Sequence, residues 1–232
     1  MRDFSAAIGN YSPNPDVIES LSKVHFIALI GPSGIGKNAI ANMLESVDAG
    51  TKKVISHTTR ASRDDEKDGV DYYFETYNSD FIDRFAGQLA GGELVQATQH
   101  PTTGDLYYST IDSYNLGGKS VMDTLPRAVE AMRSVPFGGR SEIMLVSPYP
   151  EWRQRFDKKS RGWTADIKQK RLAEAAANLK WGLGQAGVAW VINPEGQPDK
   201  AAADILSISG GEEYDSTQPK QLGQSMLKGL SG

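Results

Sequence analysis

The sequence predicts an α/β fold in three layers, a parallel sheet wrapped by helices on both faces. Three observations predict it. Short apolar runs, HFIALI at 25–30, EIMLVS at 142–147 and VAWVIN at 188–193, read as buried strands. Helical stretches separate them, and strands joined through helices pair in parallel. The first run leads into a glycine-rich turn and then a helix, LIGPSGIGKN followed by AIANMLESV. Such sheets bind ligands beyond the carboxyl ends of their strands, where that turn lies.

Composition bounds the rest. A chain of 232 residues suits one domain, or one domain with a small insert. A net charge of −4 gives no pull toward nucleic acid or an anionic membrane. The absence of cysteine removes disulfide frameworks and thiolate metal sites and is compatible with a reducing cytosol. No apolar run approaches the roughly 18–20 residues of a membrane span, and no signal-peptide core is read at the start. No internal repeat is present. The expectation is a cytoplasmic protein with no membrane or nucleic-acid partner.

In chain order, residues 1–14 are polar and punctuated by Ser12-Pro13-Asn14-Pro15. Asp16–Lys23 reads as a short amphipathic helix that either packs beside the first strand or caps the domain. His25–Ile30 is the first strand. Gly31, Gly34 and Gly36 let the backbone wrap a phosphate with its N–H groups inward, and Lys37 reaches the outer phosphates. The helix start at Ala39–Val47 adds partial positive charge. Asn38 stands where a Ser or Thr usually helps hold Mg²⁺, and offers a neutral carbonyl oxygen instead. Lys53–Ser56 reads as a second strand.

The next segment, SHTTRASRDDEKDGVDYYF at 56–74, is not periodic. Arg60 and Arg63 with a nearby tyrosine hydroxyl suit a phosphate monoester, because guanidinium forks pair bidentately with phosphate oxygens. A solvated surface run is the alternative, since Asp64, Asp65, Glu66, Lys67 and Asp68 mix charges.

Together, GPSGIGK and the spaced set Ser56, Thr58, Thr59, Arg60, Arg63, Glu66, Gly69, Asp71, Tyr72 and Phe74 resemble the guanylate kinases. The similarity runs from about Phe26 to Ile208. The resemblance implies a P-loop kinase with a nucleotide-acceptor insert at about 56–114 and a helical lid at about 148–171, inside a domain spanning 25–208. Residues 1–24 are then an N-terminal extension, and 209–232, rich in Gly, Ser and Gln, are expected to be a mobile tail that could end in a short helix.

The resemblance implies ATP and GMP as substrates, with Mg²⁺, and no obligate protein partner. It puts ATP on Gly31, Ser33, Gly34, Ile35, Gly36, Lys37, Asn38 and Asn193; Asn193-Pro194 also reads as a turn. It assigns Arg60, Arg63, Tyr72 and Tyr107 to the acceptor phosphate, and Ser56 and Glu66 to supporting contacts. Gln96 stands where the family has a guanine-reading glutamate, and an amide offers one acceptor where a carboxylate offers two. Asp105 or Glu93 could compensate. Ser109 falls on the hydroxyl that meets guanine, and Tyr108 replaces a glycine, which argues either for a reshaped pocket or for aromatic packing on the sheet. Asp123 ends the strand Lys119–Asp123 and could serve Mg²⁺, with Asn38, or the base, or cap the following helix.

Asp80–Ala90, Leu125–Arg133, Leu172–Leu183 and Asp199–Ile208 read as helices, and Gly92–Thr98 as a strand. Residues 151–171 carry eight basic groups against three acids. The resemblance matches Arg155, Arg161 and Arg171 to lid arginines that, with Lys37, stabilise the moving phosphoryl charge. The expected function is ATP-dependent phosphorylation of GMP to GDP. A catalytically impaired binding module of the same fold, or a kinase for another nucleoside monophosphate, are the alternatives.

Overall fold

The computed structural model describes residues 2–63, 66–100 and 103–231. Asp64 and Asp65 of the charged run, and Pro101 and Thr102 of the loop before Asp105, lie outside the described residues. Helices α1 (Ser5–Gly9) and α2 (Pro15–Leu21) precede β1 (His25–Ile30), and α3 (Lys37–Val47) leads to β2 (Thr51–Lys53). A second body follows, with β3 (His57–Thr58), β4 (Tyr73–Phe74), α4 (Ser79–Gly91), β5 (Leu94–Gln99) and β6 (Leu106–Thr110). The chain returns through β7 (Lys119–Asp123), α5 (Pro126–Met132), β8 (Gly139–Val146), α6 (Tyr149–Lys159) and α7 (Ala165–Leu183). It closes with β9 (Ala189–Ile192), α8 (Pro198–Ser209) and α9 (Thr217–Ser231).

The central sheet has the order β2-β7-β1-β8-β9, and every pairing is parallel. β1 is central because it is apolar on both faces: Phe26 to Ile30 are all buried. The second sheet has the order β4-β3-β6-β5, with β6 antiparallel to both β3 and β5. Its own small core gathers Phe81, Phe85, Leu94, Leu106 and Tyr108.

Three segments differ from the sequence reading. The second strand ends at Lys53 rather than Ser56. Val54 N–H still donates to Val121 O at 2.8 Å, but Ser56 O already accepts from Tyr73 N–H at 2.9 Å in the other sheet. The intervening residues are the crossing between sheets, and Val54 is buried in the main core.

Residues 217–231, read within a mobile tail with at most a short helical end, form a docked helix of 15 residues, α9. Met226 on it is fully buried in the main core. The composition misled because Gly223 and Gly229 look like helix breakers. They are the points of closest approach: a Cβ at Gly223 would stand 2.2 Å from the Trp190 ring, and one at Gly229 would stand 2.8 Å from Tyr149.

The segment read as a lid is anchored over its first half. Trp152 and Phe156 of α6 are buried in the main core. Beyond Lys159 the chain turns through Ser160–Thr164 into α7, whose first turn is capped by Thr164 Oγ1 accepting from Ile167 N–H at 3.3 Å. Among the described residues no helix is long and apolar enough to cross a membrane.

If α9 is part of the fold, Met226→Ala lowers the unfolding free energy by about 2–4 kcal/mol through lost burial and a cavity. Urea denaturation measures this, and a change below about 0.5 kcal/mol would show the helix to be undocked.

Candidate active site

The turn after β1 is bent by residues that only glycine can fill. Gly31 has φ +151°, and a Cβ there would stand 2.9 Å from Leu145 O. Gly36 has φ +99°, and its Cβ would stand 2.5 Å from Asn193 Nδ2. The turn is also held from behind. Asn193 Nδ2 donates to Ile35 O at 2.7 Å, and Trp152 Nε1 donates to Ser33 O at 3.0 Å. Asn178 Nδ2 lies 3.5 Å from Gly31 O. The Ser33 and Ile35 carbonyls are thus held by donors from the surrounding protein, while the Ile35 N–H donates within the loop to Pro32 O at 3.2 Å.

Lys37 reaches across this loop. Its Nζ donates to Gly31 O at 2.8 Å and lies 3.6 Å from Asp123 Oδ1. Asp123 ends β7 beside β1, with Leu29 as its register partner. Its side chain keeps 34% exposure at the cleft, yet protein atoms crowd it. Burial therefore raises its pKa above the ordinary carboxylate value, and the charges of Lys37, Lys159 and Lys53 offset this only in part. Lys53 is buried and donates to Val70 O at 3.2 Å. Three ammonium groups from β2, α3 and α6 therefore act on one carboxylate.

On the facing platform, Arg60 and Arg63 meet on Glu66. Arg60 makes two bonds of 2.9 Å to the Glu66 carboxylate. Arg63 adds its backbone N–H at 2.9 Å and its guanidinium at 3.3 Å. Burial alone would raise the Glu66 pKa, but these donors pull it below the usual carboxylate range. Burial likewise works against the Arg60 charge, and Glu66 with Tyr107 more than restores it. Arg60 also lies over the rings of Tyr72 and Phe74, 5.5 and 5.7 Å from their centroids. Tyr72 stands edge-on to Tyr107 at 6.2 Å. Burial and then the charge of Asp123 push the Tyr72 hydroxyl pKa up, so Tyr72 links the platform to the loop side.

Gln96 is buried on β5, opposite Ser109 on β6, and its Oε1 has no partner. Ser109 Oγ lies 3.0 Å from the buried Tyr114 hydroxyl. The compensating acids read from the sequence are not brought to Gln96. Glu93 is exposed before β5 begins, and Asp105 accepts from Thr103 Oγ1 at 2.6 Å in the loop. Asp105 lies four residues before Ser109, on the order of 13 Å at strand rise. Tyr108 does not reshape the acceptor face. Strand alternation turns it to the opposite side, where it stacks on His57 at 4.6 Å and donates to Glu75 at 2.9 Å.

Two of the other assigned residues, Asn193 and Arg155, lie behind the loop. Asn193 braces the loop, and its Oδ1 is buried without a partner. Arg155 Nη2 donates to Asn193 O at 3.3 Å, while burial lowers the Arg155 pKa and leaves its Nε unpaired. Arg171 pairs with Glu174 at 2.6 Å. Arg161 is exposed in the turn after α6, and Ser56 is buried at the crossing between sheets. Sequence reasoning passed over Lys53 and Lys159, because the first sits in a strand and the second in a run of many cations.

The chain compares with known proteins as follows. Residues 23–85 match the guanylate kinase family model. A guanylate kinase of Ruegeria pomeroyi is 33% identical over 117 residues, covering 50% of this chain and 48% of the relative, so the chain spans about half of that relative's length. One of Anaeromyxobacter dehalogenans is 29% identical over 162 residues, covering 68% and 69%. Guanylate kinase 1 of Arabidopsis thaliana is 30% identical over 165 residues, covering 68% and 40%. The solved guanylate kinase structure from Anaplasma phagocytophilum shares the fold, with a TM-score of 0.50 at 20% identity over 83% of this chain and 87% of that one.

The raised Asp123 pKa has a stability consequence. The folded state binds this proton more tightly than the unfolded chain, so its contribution is fully present below the ordinary value of 3.8 and is lost as pH rises through the folded value. Asp123→Asn therefore stabilises the ligand-free protein at pH 7, and the gain fades toward pH 3.8. Thermal unfolding across pH checks this; a variant less stable at pH 7 would mean that pairing with Lys37 outweighs burial.

Proposed function

We propose that this chain, which is similar to the guanylate kinases in sequence and shares their fold, transfers the terminal phosphoryl group of ATP to GMP. A phosphate oxygen of GMP attacks the terminal phosphorus of ATP in line. The bond to the bridging oxygen breaks, ADP leaves with that oxygen, and GDP forms. No covalent enzyme intermediate is needed, so catalysis is positioning and charge stabilisation.

One observation carries the reading. Lys37 lies 3.6 Å from Asp123, and burial and then the Asp123 charge push up the hydroxyl pKa of Tyr72, over whose ring Arg60 sits. In this reading the loop N–H groups and Lys37 hold the phosphates of ATP. Arg60, Arg63, Tyr72 and Tyr107 hold the phosphate of GMP, displacing or sharing the bonds that Glu66 now accepts. Lys159 sits at the end of α6 and acts on Asp123, so it joins Arg161 and Arg171 as a lid cation able to face the moving charge.

The donor set fits Mg²⁺ held mostly by phosphate oxygens and water. Among the described residues no group of three or more His, Asp or Glu could hold a metal alone. Asp123, with the Asn38 carbonyl, supplies hard oxygen donors at the loop. When bound, Mg²⁺ neutralises charge shared between the outer phosphates. Both substrates are cytoplasmic metabolites, so the reading carries a cytoplasmic location with it.

Gln96 supports a purine edge with a donor at that point. Its buried, unpaired Oε1 can accept from the N1–H or amino group of guanine. Only one of the two guanine donors is met, so base preference should be weak for this family.

A coupled ADP-release assay with GMP, AMP, UMP and CMP tests the activity. Turnover with GMP is expected and turnover with none of the four rejects it. Gln96→Glu should raise kcat/KM for GMP by about tenfold, as a second acceptor meets the second donor. An unchanged preference would show that the base is read elsewhere.

A further inference from the structure

The N-terminal residues are not a loose extension. Phe4 is buried within the small core of the acceptor platform, edge-on to Phe85 at 5.0 Å. Its N–H donates to Gln99 Oε1 at 2.8 Å, and Gln99 Nε2 donates back to Arg2 O at 3.2 Å. The Tyr11 hydroxyl donates to Leu94 O. Gln99 and Leu94 are the two ends of β5, which is the edge strand that carries Gln96. Asn14 closes the segment. Its N–H donates to Gly92 O at 2.8 Å and its Nδ2 to Gly91 O at 3.0 Å, while its Oδ1 accepts from Val17 N–H at 3.0 Å to cap α2. α2 then enters the main core through Val17 and Leu21.

We propose that residues 2–14 are a positioning strap for the acceptor site. The platform joins the central sheet through the crossings at 54–56 and 111–118. The strap is a third attachment, with one end built into the platform core and the other into the main core. It pins an edge strand at both ends, where an unpaired edge would otherwise fray. Gln96 sits between the pins, so the strap sets how the base is presented relative to Arg60 and Tyr72. Phe4, Tyr11 and Asn14 are positioning residues, and none of them touches the loop around Lys37.

This inference rests on the acceptor-site reading above, so its test has one arm that needs that reading and one that does not. Calorimetry compares GMP and Mg·ATP binding to the full chain, a variant lacking residues 2–12, Phe4→Ala and Phe4→Leu. GMP binding should weaken about tenfold in the deletion and in Phe4→Ala, with Mg·ATP binding within about twofold and Phe4→Leu close to the full chain. Hydrogen exchange of the same variants should show β5 amides opening about tenfold faster while β1 amides keep their protection. Equal weakening of both nucleotides, or equal loss of protection in β5 and β1, overturns the strap, because either would mean general destabilisation. Unchanged GMP binding together with unchanged β5 exchange also overturns it. If the full chain binds no GMP, the acceptor reading fails, and the β5-against-β1 exchange comparison alone decides the strap.

Discussion

Everything at the cleft depends on the curvature of one loop, and that curvature is held by side-chain donors from distant parts of the chain. Asn193 Nδ2 reaches Ile35 O at 2.7 Å, in the space that a side chain at Gly36 would fill. The loop satisfies Pro32 O from its own Ile35 N–H and Gly31 O from Lys37 Nζ, but not Ser33 O or Ile35 O. It borrows donors from the end of β9, from α7 and from α6. Those elements are in turn fixed by the core, through Trp152, Leu179 and Trp190, and by α9 packed over Trp190. Sheet, α6, α7 and terminal helix therefore serve one requirement, the fixed curvature of this loop.

Electrostatics makes the second half of the site. Two guanidiniums close together repel, and Glu66 holds them in place from below with bonds of 2.9 to 3.3 Å. The arginines are thereby preorganised rather than splayed into water. On the other side, Asp123 is crowded enough that burial raises its pKa even with Lys37, Lys53 and Lys159 near it. A cleft with so many cations around one reluctant carboxylate is poorly balanced when empty and better balanced around phosphate.

Local features were legible in the sequence and long-range ones were not. The loop, the buried strands and the spaced set from Ser56 to Phe74 announce themselves because their chemistry is written in consecutive residues. The amide of Asn193 serves a carbonyl 158 residues away, and no local pattern encodes such a partner. Tyr108 was ambiguous until strand alternation fixed its face. α9 was hidden by two glycines whose purpose is packing against Trp190 and Tyr149. The strap at Phe4 was hidden because a short polar segment with one phenylalanine carries no periodic signal.

The central claim is that the loop around Lys37 and the arginine platform hold two phosphates of one reaction at the same time. The most direct measurement is the affinity of a linked analogue, adenosine and guanosine joined by five phosphates, for the wild type and for Lys37→Ala, Arg60→Ala and the double variant. Simultaneous occupancy predicts binding tighter than ATP or GMP alone by about two orders of magnitude, and loss of that advantage in either single variant. An analogue that binds no tighter than ATP, and is indifferent to Arg60→Ala, would contradict the account.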